Sequence, residues 1–135
     1  MAGLPPFVFT AALGDLRDGT TTRRSGERPS PIAATSAVSI AEICVGDAEP
    51  ETVAERVRSW GVLVLDVPAA AAEPCGRAYR LYRERRKSES DRDAPLLPLP
   101  DFFIGAHAEI MGWPIATADE GRFRTYFPSV VLKTP

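Results

Sequence analysis

Three carboxylates stand where they could share one chemical task. Glu42 lies one turn into a helix predicted after a strand at 32–35, Asp101 opens another helix, and Asp119 follows a strand at 115–117. The carboxyl ends of parallel strands meet at one edge of a sheet, so these acids can converge there. Carboxylate oxygens suit a hard divalent cation such as Mg²⁺, which can activate water against a phosphodiester. The spacing therefore predicts a metal site.

Each acid also has an ordinary structural role open to it. Glu42 matches a capping box that starts at Ser39, so it could simply complete the N-cap of its helix. Asp101 is favoured near a helix N-terminus by the helix dipole, and Asp119 suits a turn. Caps and turns are common, so any one of these acids is explained more simply in this way than by a metal. The three are informative only together.

The elements that must position the acids alternate between strands and helices. A helical pattern at 69–87 has an apolar seam, and the helix at 101–111 is apolar nearly all round before Gly112 ends it. The run at 62–65 predicts a strand that is covered on both faces. This alternation predicts an α/β fold with a central parallel β-sheet flanked by α-helices. The other predicted strands are 7–9, 32–35, 115–117 and 130–132, and the seam is formed by Cys75, Ala78, Tyr79 and Tyr82.

Composition and charge narrow the class of protein. The chain has 135 residues, 44% of them hydrophobic, which predicts a single domain over residues 1–135 with a flexible loop at 19–31. A formal net charge of −2 gives no electrostatic argument for nucleic acid over the whole chain. The two cysteines lack the spacing of a zinc site or redox dithiol, so we expect reduced, buried thiols. No leader or membrane-spanning run is recognisable, and we expect a cytoplasmic protein.

The order of motifs resembles a known family. Residues 99–108, with Pro-Asp at the helix start, are followed by Thr117 and Asp119 in a Thr-x-Asp pattern ahead of Phe123. This arrangement is similar to the C-terminal half of the PIN-domain ribonucleases, especially the VapC toxins of bacterial toxin–antitoxin pairs. Residues 36–46, in which a Glu precedes a short apolar run and a Gly, resemble an earlier segment of the family. The resemblance covers positions 34–135.

The resemblance implies a PIN-like domain with a metal-dependent activity. It places Glu42, Asp101 and Asp119 on three positions of an acidic cluster that binds Mg²⁺ or Mn²⁺ for endonucleolytic cleavage of RNA. Thr117 matches a residue that helps to orient this cluster. The implied partners are an RNA substrate, a VapB-like antitoxin that holds the toxin inactive, and a second copy of the chain in a homodimer.

One position departs from the family pattern. Phe9 stands where the first strand of the family carries an Asp, and Ala11 stands where a small polar residue is expected. A Phe side chain cannot coordinate a cation, so metal binding and catalysis should both weaken. The alternatives are a catalytically impaired module that binds antitoxin or RNA without cutting, and a misaligned first strand. A DNA-directed nuclease also remains open, because nothing in the sequence reads a 2′-hydroxyl.

Other conspicuous residues receive structural interpretations. His107, the single histidine, is predicted to be a packed residue of a buried helix rather than a catalytic base. Phe102, Phe103 and Trp113 are predicted to be core residues. The Arg-rich segment at 77–87 is predicted to be a solvated helix face, although it could also meet RNA phosphates or an acidic antitoxin segment.

Overall fold

A computed structural model describes residues 7–10 and 32–134, with residues 7–10 and 32 described by their backbone alone. Ala11 and the predicted loop at 19–31 lie outside these residues.

The described strands form one parallel sheet, as predicted. It has five strands in the order β3-β2-β1-β4-β5, so β1 is central and β3 and β5 are the edges. From β2 onward, helices between consecutive strands supply the crossovers that parallel strands need. The predicted α/β architecture is therefore confirmed. The strands are β1 Phe7–Thr10, β2 Ile32–Ser36, β3 Leu63–Leu65, β4 Ile115–Ala116 and β5 Leu132–Lys133.

The register of the central strand fixes the position of Phe9. Its backbone lies between Ala34 of β2 and Ile115 of β4, one residue before β1 ends at Thr10. Position 9 is therefore close to the carboxyl edge of the sheet, where the resemblance expects the first acid.

The two edge strands differ from their predicted form. The prediction that residues 62–65 are covered on both faces is wrong, because Leu63 is 43% exposed; among the described strands, β3 lies at the edge of the sheet and pairs with β2 alone. Strand β5 begins at Leu132 rather than at Val130, whose amide donates instead to the carbonyl of Phe127 in a turn. The exposure of β3 and the late start of β5 both depend on the position of the strand in the sheet rather than on its apolar content.

The first helix, α1 (Ala37–Gly46), starts earlier than predicted. Ser36 ends β2 with an extended backbone, and its Oγ accepts a hydrogen bond from the amide of Val38 at 3.1 Å. Ser39, the predicted N-cap, is buried in the first turn instead, so that prediction is wrong. Glu42 consequently lies beyond the third helical position and does not complete a capping box.

A second helix, α2 (Val53–Ser59), follows a 3-10 turn at Pro50–Thr52, and Gly61 ends the segment with a φ of +80°. Val53 and Val57 are buried with Val62 in a small core against α1 and β3. Trp60 is 43% exposed, because it lies just past the end of the helix.

The main core lies between α3 (Ala72–Ser90) and α4 (Pro100–Met111), with a 3-10 turn at Ala69–Ala71 before α3 and a short α5 (Gly121–Tyr126). The seam of α3 is confirmed, with Cys75, Ala78 and Tyr79 buried and Tyr82 packed at their margin. Burial raises the pKa of the Cys75 thiol to about 11, so it stays protonated. Cys44 is only half-buried, contrary to the prediction for both thiols. Among the described helices, none combines the length and hydrophobicity of a membrane-spanning segment.

Candidate functional site

Glu42 and Asp101 lie on two helices that pack together, and the two residues are called the acid pair below. Glu42 lies on α1, which leaves the carboxyl end of β2, and Asp101 is in the first turn of α4, which packs against α1. The pKa of the Glu42 carboxyl is raised above its usual value, first by partial desolvation and second by the negative charge of Asp101. Two like charges from different helices lie close enough to disfavour each other.

Arg122 of α5 is the cationic neighbour of this pair. Its Nη1 donates to Oδ2 of Asp101 at 3.3 Å, and its guanidinium carbon lies 5.6 Å from the centre of the Tyr82 ring. The contact with Asp101 is single and partly solvent-exposed, so it is a weak ion pair. Arg122 therefore engages one oxygen of Asp101 without burying the carboxylate.

Asp119 follows β4, and its backbone is held by Thr117. The Thr117 hydroxyl accepts from the amide of Asp119 at 3.1 Å and donates to its carbonyl at 3.0 Å. The Asp119 carboxylate accepts from the amide of Gly121 at 3.2 Å, in the turn that the sequence allowed for. Thr117 is buried while Asp119 is exposed, so a fixed backbone presents a carboxylate to solvent.

The structure relates the predicted site residues in two groups. Glu42 and Asp101 interact electrostatically, while Asp119 adjoins Arg122, the partner of Asp101, at a shared cavity. In the part of the chain that the structure describes, no group of three or more His, Cys, Asp or Glu side chains is arranged to hold a metal. Convergence of all three acids on one ion stays a prediction, and the side chain of Phe9 lies outside the description.

The acid pair is chemically suited to a divalent cation. Mg²⁺ commonly takes one or two carboxylates and completes its octahedron with waters and substrate phosphates. Glu42 and Asp101 offer two carboxylates whose mutual repulsion a cation would relieve. The donor set therefore fits Mg²⁺ or Mn²⁺ better than a softer metal, which would prefer thiolate or imidazole.

A basic cavity beside Asp119 has no counterpart in the predicted site. It encloses about 400 Å³ between the C-terminal half of α3 and α5. The Arg-rich segment of α3 was recognised as a possible phosphate contact, but Arg122 lies in a helix of six residues, which is too short to give a periodic signal. The cavity is lined by Tyr82, Arg85, Arg86, Glu89, Ser90, Asp119, Gly121, Arg122, Thr125 and Tyr126.

The remaining singled-out residues are structural. His107 is buried, its ring centre lies 5.4 Å from that of Trp113, and burial lowers its pKa, so the predicted packing role is confirmed. Phe102 is completely buried at the centre of an aromatic cluster, while Phe103 and Trp113 pack at the edge of the core. On α3, Arg80 pairs with Glu84 on the surface, as expected of a solvated helix face.

Comparison with known proteins gives matches in structure alone. No protein-family model matches the sequence, and no curated protein matches it. A chain of the DNA-bound VapBC complex from Salmonella typhimurium superposes with a TM-score of 0.59 at 18% identity, covering 97% of this chain and 98% of that one. A chain of VapBC-1 from nontypeable Haemophilus influenzae gives a TM-score of 0.59 at 14% identity, covering 95% and 96%.

A third match has the same extent. A chain of a toxin–antitoxin complex from Klebsiella pneumoniae superposes with a TM-score of 0.54 at 22% identity, covering 92% of this chain and 95% of that one. These matches span nearly the whole of both chains, so they concern the complete arrangement of strands and helices. The chain has the fold of the VapC-type PIN-domain toxins.

Proposed function

We propose that the chain is a toxin-type endoribonuclease that uses Mg²⁺ or Mn²⁺ and is controlled by a VapB-like antitoxin. The observation that carries the proposal is the acid pair, in which partial desolvation first, and the charge of Asp101 second, raise the pKa of Glu42 near the α1–α4 contact. A bound cation stabilises two neighbouring carboxylates, and helix capping does not require such a pair. The PIN-domain fold and the Thr117–Asp119 turn add support from independent parts of the chain.

The chain's own residues would divide the work as follows. Glu42 and Asp101 would hold the cation, and Asp119 would add a third carboxylate from the end of β4. Thr117 would keep the backbone of Asp119 in place through its two hydrogen bonds. When bound, the cation would lower the pKa of water and neutralise charge on the scissile phosphate. Arg122 would balance the charge of Asp101 when no cation is present.

The structural matches support an antitoxin among the proposed partners. Chains of similar fold occur in toxin–antitoxin complexes, and the match extends over nearly their full length. We therefore propose an antitoxin partner; the family resemblance of the sequence is the basis for also proposing a homodimer that acts on RNA in the cytoplasm. Mixing the chain with a candidate antitoxin and measuring the mass of the complex by light scattering would test both associations.

A second candidate function is a PIN-like module that binds RNA or antitoxin without cutting. Two observations favour it: position 9, at the carboxyl edge of the central strand, carries Phe, and Arg122 already engages Asp101. Fewer acids and a competing guanidinium both lower the affinity for a cation. Cleavage assays separate this module from the enzyme.

The decisive experiment is cleavage of single-stranded RNA with Mg²⁺, with Mn²⁺ and with a chelator. The enzyme requires cutting that the metal supports and that Asp101→Ala abolishes. Glu73→Ala is a matched control, because Glu73 is also an acid in the first turn of a helix, α3, away from the acid pair. Absence of cutting at every metal concentration would overturn the enzyme. Metal-dependent cutting that Asp101→Ala abolishes and Glu73→Ala preserves would overturn the binding-only module.

Restoring an acid at position 9 tests whether Phe9 weakens metal binding and cleavage. Phe9→Asp adds a carboxylate at the carboxyl edge of β1, so we expect cleavage to rise at least tenfold through tighter metal binding. Unchanged cleavage would mean that position 9 does not face the cation. Competition between RNA and DNA strands of the same sequence would test the DNA-directed alternative.

A further inference from the structure

We propose that the cavity between α3 and α5 binds backbone phosphates of single-stranded RNA beside the acid pair. This inference rests on the proposed function, because it names the part of the protein that would hold the strand next to the scissile phosphate. It adds a binding site that adjoins the acid pair, shares Asp119 with the proposed metal site and attracts the opposite charge.

The walls of the cavity present cations from two helices. Arg85 and Arg86 come from α3, and Arg122 comes from α5 on the other side. Two acids also line it, Glu89 and Asp119, so cationic side chains outnumber carboxylates. A volume of about 400 Å³ accommodates a nucleotide-sized ligand.

The arginines are held mainly by aromatic residues. The guanidinium carbon of Arg85 lies 5.9 Å from the centre of the Tyr126 ring, and that of Arg122 lies 5.6 Å from the centre of the Tyr82 ring. Arg86 donates to the Tyr82 hydroxyl at 3.3 Å. Contacts of this kind fix a guanidinium while leaving its positive charge uncancelled.

The carboxylates nearby neutralise these arginines only in part. Arg85 meets Glu89 through one exposed contact of 3.5 Å, and Arg122 meets Asp101 through one of 3.3 Å. Arg86 forms no ion pair with any carboxylate in the described residues. Single, exposed contacts are weak compared with bidentate pairing, so a phosphate can compete for these guanidiniums.

The other polar groups of the cavity are already engaged. The hydroxyl of Ser90 donates to the carbonyl of Arg86, that of Thr125 donates to the carbonyl of Gly121, and Asp119 accepts from the amide of Gly121. The arginines are thus the groups most available for a new anionic partner, and that composition suits a phosphate backbone.

The cavity lies beside the acid pair, so its ligand should be a nucleic-acid strand long enough to contact both. Asp119 lines the cavity, and Arg122 reaches from its wall to Asp101. A polyanion with one phosphate near a cation on the acids would place a neighbouring phosphate against Arg85 and Arg86. RNA meets this requirement because its phosphates repeat along a flexible strand.

The test measures RNA binding without cleavage. A fluorescein-labelled single-stranded RNA decamer is titrated with the full chain in EDTA, and anisotropy gives Kd over a series of salt concentrations. The double variant Arg85→Gln, Arg86→Gln should raise Kd about tenfold at low salt. The slope of log K against log salt should fall by about 1.4, at about 0.7 for each lost phosphate contact. Glutamine keeps the helix propensity of α3, and circular dichroism checks the fold.

Arg80→Gln is the matched control. Arg80 also lies on α3 and pairs with a glutamate four residues on, as Arg85 does, but it faces a different hollow beside Tyr79. Its replacement should leave Kd within about twofold of the wild type. An equal loss with Arg80→Gln, an unchanged Kd in the double variant, or no RNA binding by the wild type would each overturn the proposal.

The outcome is independent of the catalytic proposal. If the wild type binds RNA through Arg85 and Arg86 but never cuts with added metal, the cavity is supported and the enzyme fails. If it cuts while the double variant binds RNA as tightly as the wild type, the enzyme stands and the cavity is overturned.

Discussion

The acid pair and the basic cavity are neighbouring regions with opposite electrostatic needs. In the acid pair, partial desolvation first and the charge of Asp101 second raise the pKa of Glu42, so the charged form of Glu42 is disfavoured. In the cavity, Arg85 and Arg122 rest on tyrosine rings and have only single contacts to carboxylates. We therefore expect a cation to stabilise the first region and an anion to stabilise the second.

This difference matters because a metal-dependent nuclease must bind both kinds of ligand. A cation without a fixed strand, or a strand without a cation, would not align a phosphate for hydrolysis. Arg122 belongs to both regions, since it donates to Asp101 and lines the cavity. Substitutions on either side of Arg122 should therefore separate metal binding from RNA binding.

The largest expected effect is on the acid pair. Glu42→Gln removes one of the two carboxylates of the acid pair, so metal-dependent cleavage should fall about 100-fold while RNA binding in EDTA remains. Initial rates at saturating RNA, over a range of Mg²⁺ concentrations, measure the loss.

The control for this prediction is Glu51→Gln in the exposed 3-10 turn. It removes the same charge from a position away from α4, and its cleavage rate should match that of the wild type. Equal rates for Glu42→Gln and the wild type would dissociate Glu42 from the metal and leave Asp101 alone in that role.

A second substitution tests whether the core of α4 holds Asp101 in place. A Cβ at Gly105 would overlap the ring of Phe127, which is itself fully buried. Gly105→Ala should therefore lower the free energy of unfolding by about 2 kcal/mol, measured by urea denaturation. Cleavage should fall as well if the first turn of α4 shifts with its packing.

Gly76→Ala is the matched comparison within α3. No atom lies within 4 Å of a Cβ at Gly76, so the substitution should raise the free energy of unfolding by up to about 1 kcal/mol through helix propensity. If both alanine variants behaved alike, close packing at Gly105 would not be a determinant of stability.

A smaller effect of mixed sign is expected at Arg122. Arg122→Gln removes a cation that contacts Asp101, so the affinity for Mn²⁺ should rise about threefold. The same change should weaken RNA binding about threefold, because it removes one phosphate contact. Titration calorimetry measures the first quantity and anisotropy the second.

Arg124→Gln supplies the control, because Arg124 is also on α5 but pairs with Glu120. Both affinities should stay at their wild-type values. A change of the same sign in both affinities at Arg122 would contradict its position between two regions of opposite charge.

The sequence predicted those parts of the molecule that depend on local signals. Pro100 and Asp101 start α4 and Gly112 ends it with a φ of +67°, because residues of these types control helix ends wherever they occur. The cap at Ser36 was missed since it depends on where β2 ends. The exposure of Leu63 was missed because an edge strand and a central strand can have the same apolar run.

The candidate site likewise has a part that the sequence predicted and a part that it did not. Glu42, Asp101 and Asp119 were recognisable because each follows a motif or an element boundary. The contact between Arg122 and Asp101 joins residues 21 positions apart in sequence, and the cavity needs α5 to lie beside α3. Neither arrangement follows from periodicity, since both depend on how the helices pack.

The smallest expected effect is a change in the titration of Glu42, and it tests the acid pair most directly. A raised pKa means that the folded chain binds this proton more tightly than the unfolded chain does. The contribution of Glu42 to the free energy of unfolding is therefore most favourable at low pH, where its carboxyl is protonated. This contribution is lost as pH rises through the raised pKa. Asp101→Asn removes the neighbouring charge, so the pKa of Glu42 should move down toward its usual value. Carbon-13 NMR of the Glu42 carboxyl measures this shift without metal or RNA.

The control is Asp66→Asn, which replaces an exposed acid after β3 and should leave the titration of Glu42 unchanged. If Asp101→Asn also left it unchanged, desolvation alone would account for the raised pKa, and the two carboxylates would not act as a pair.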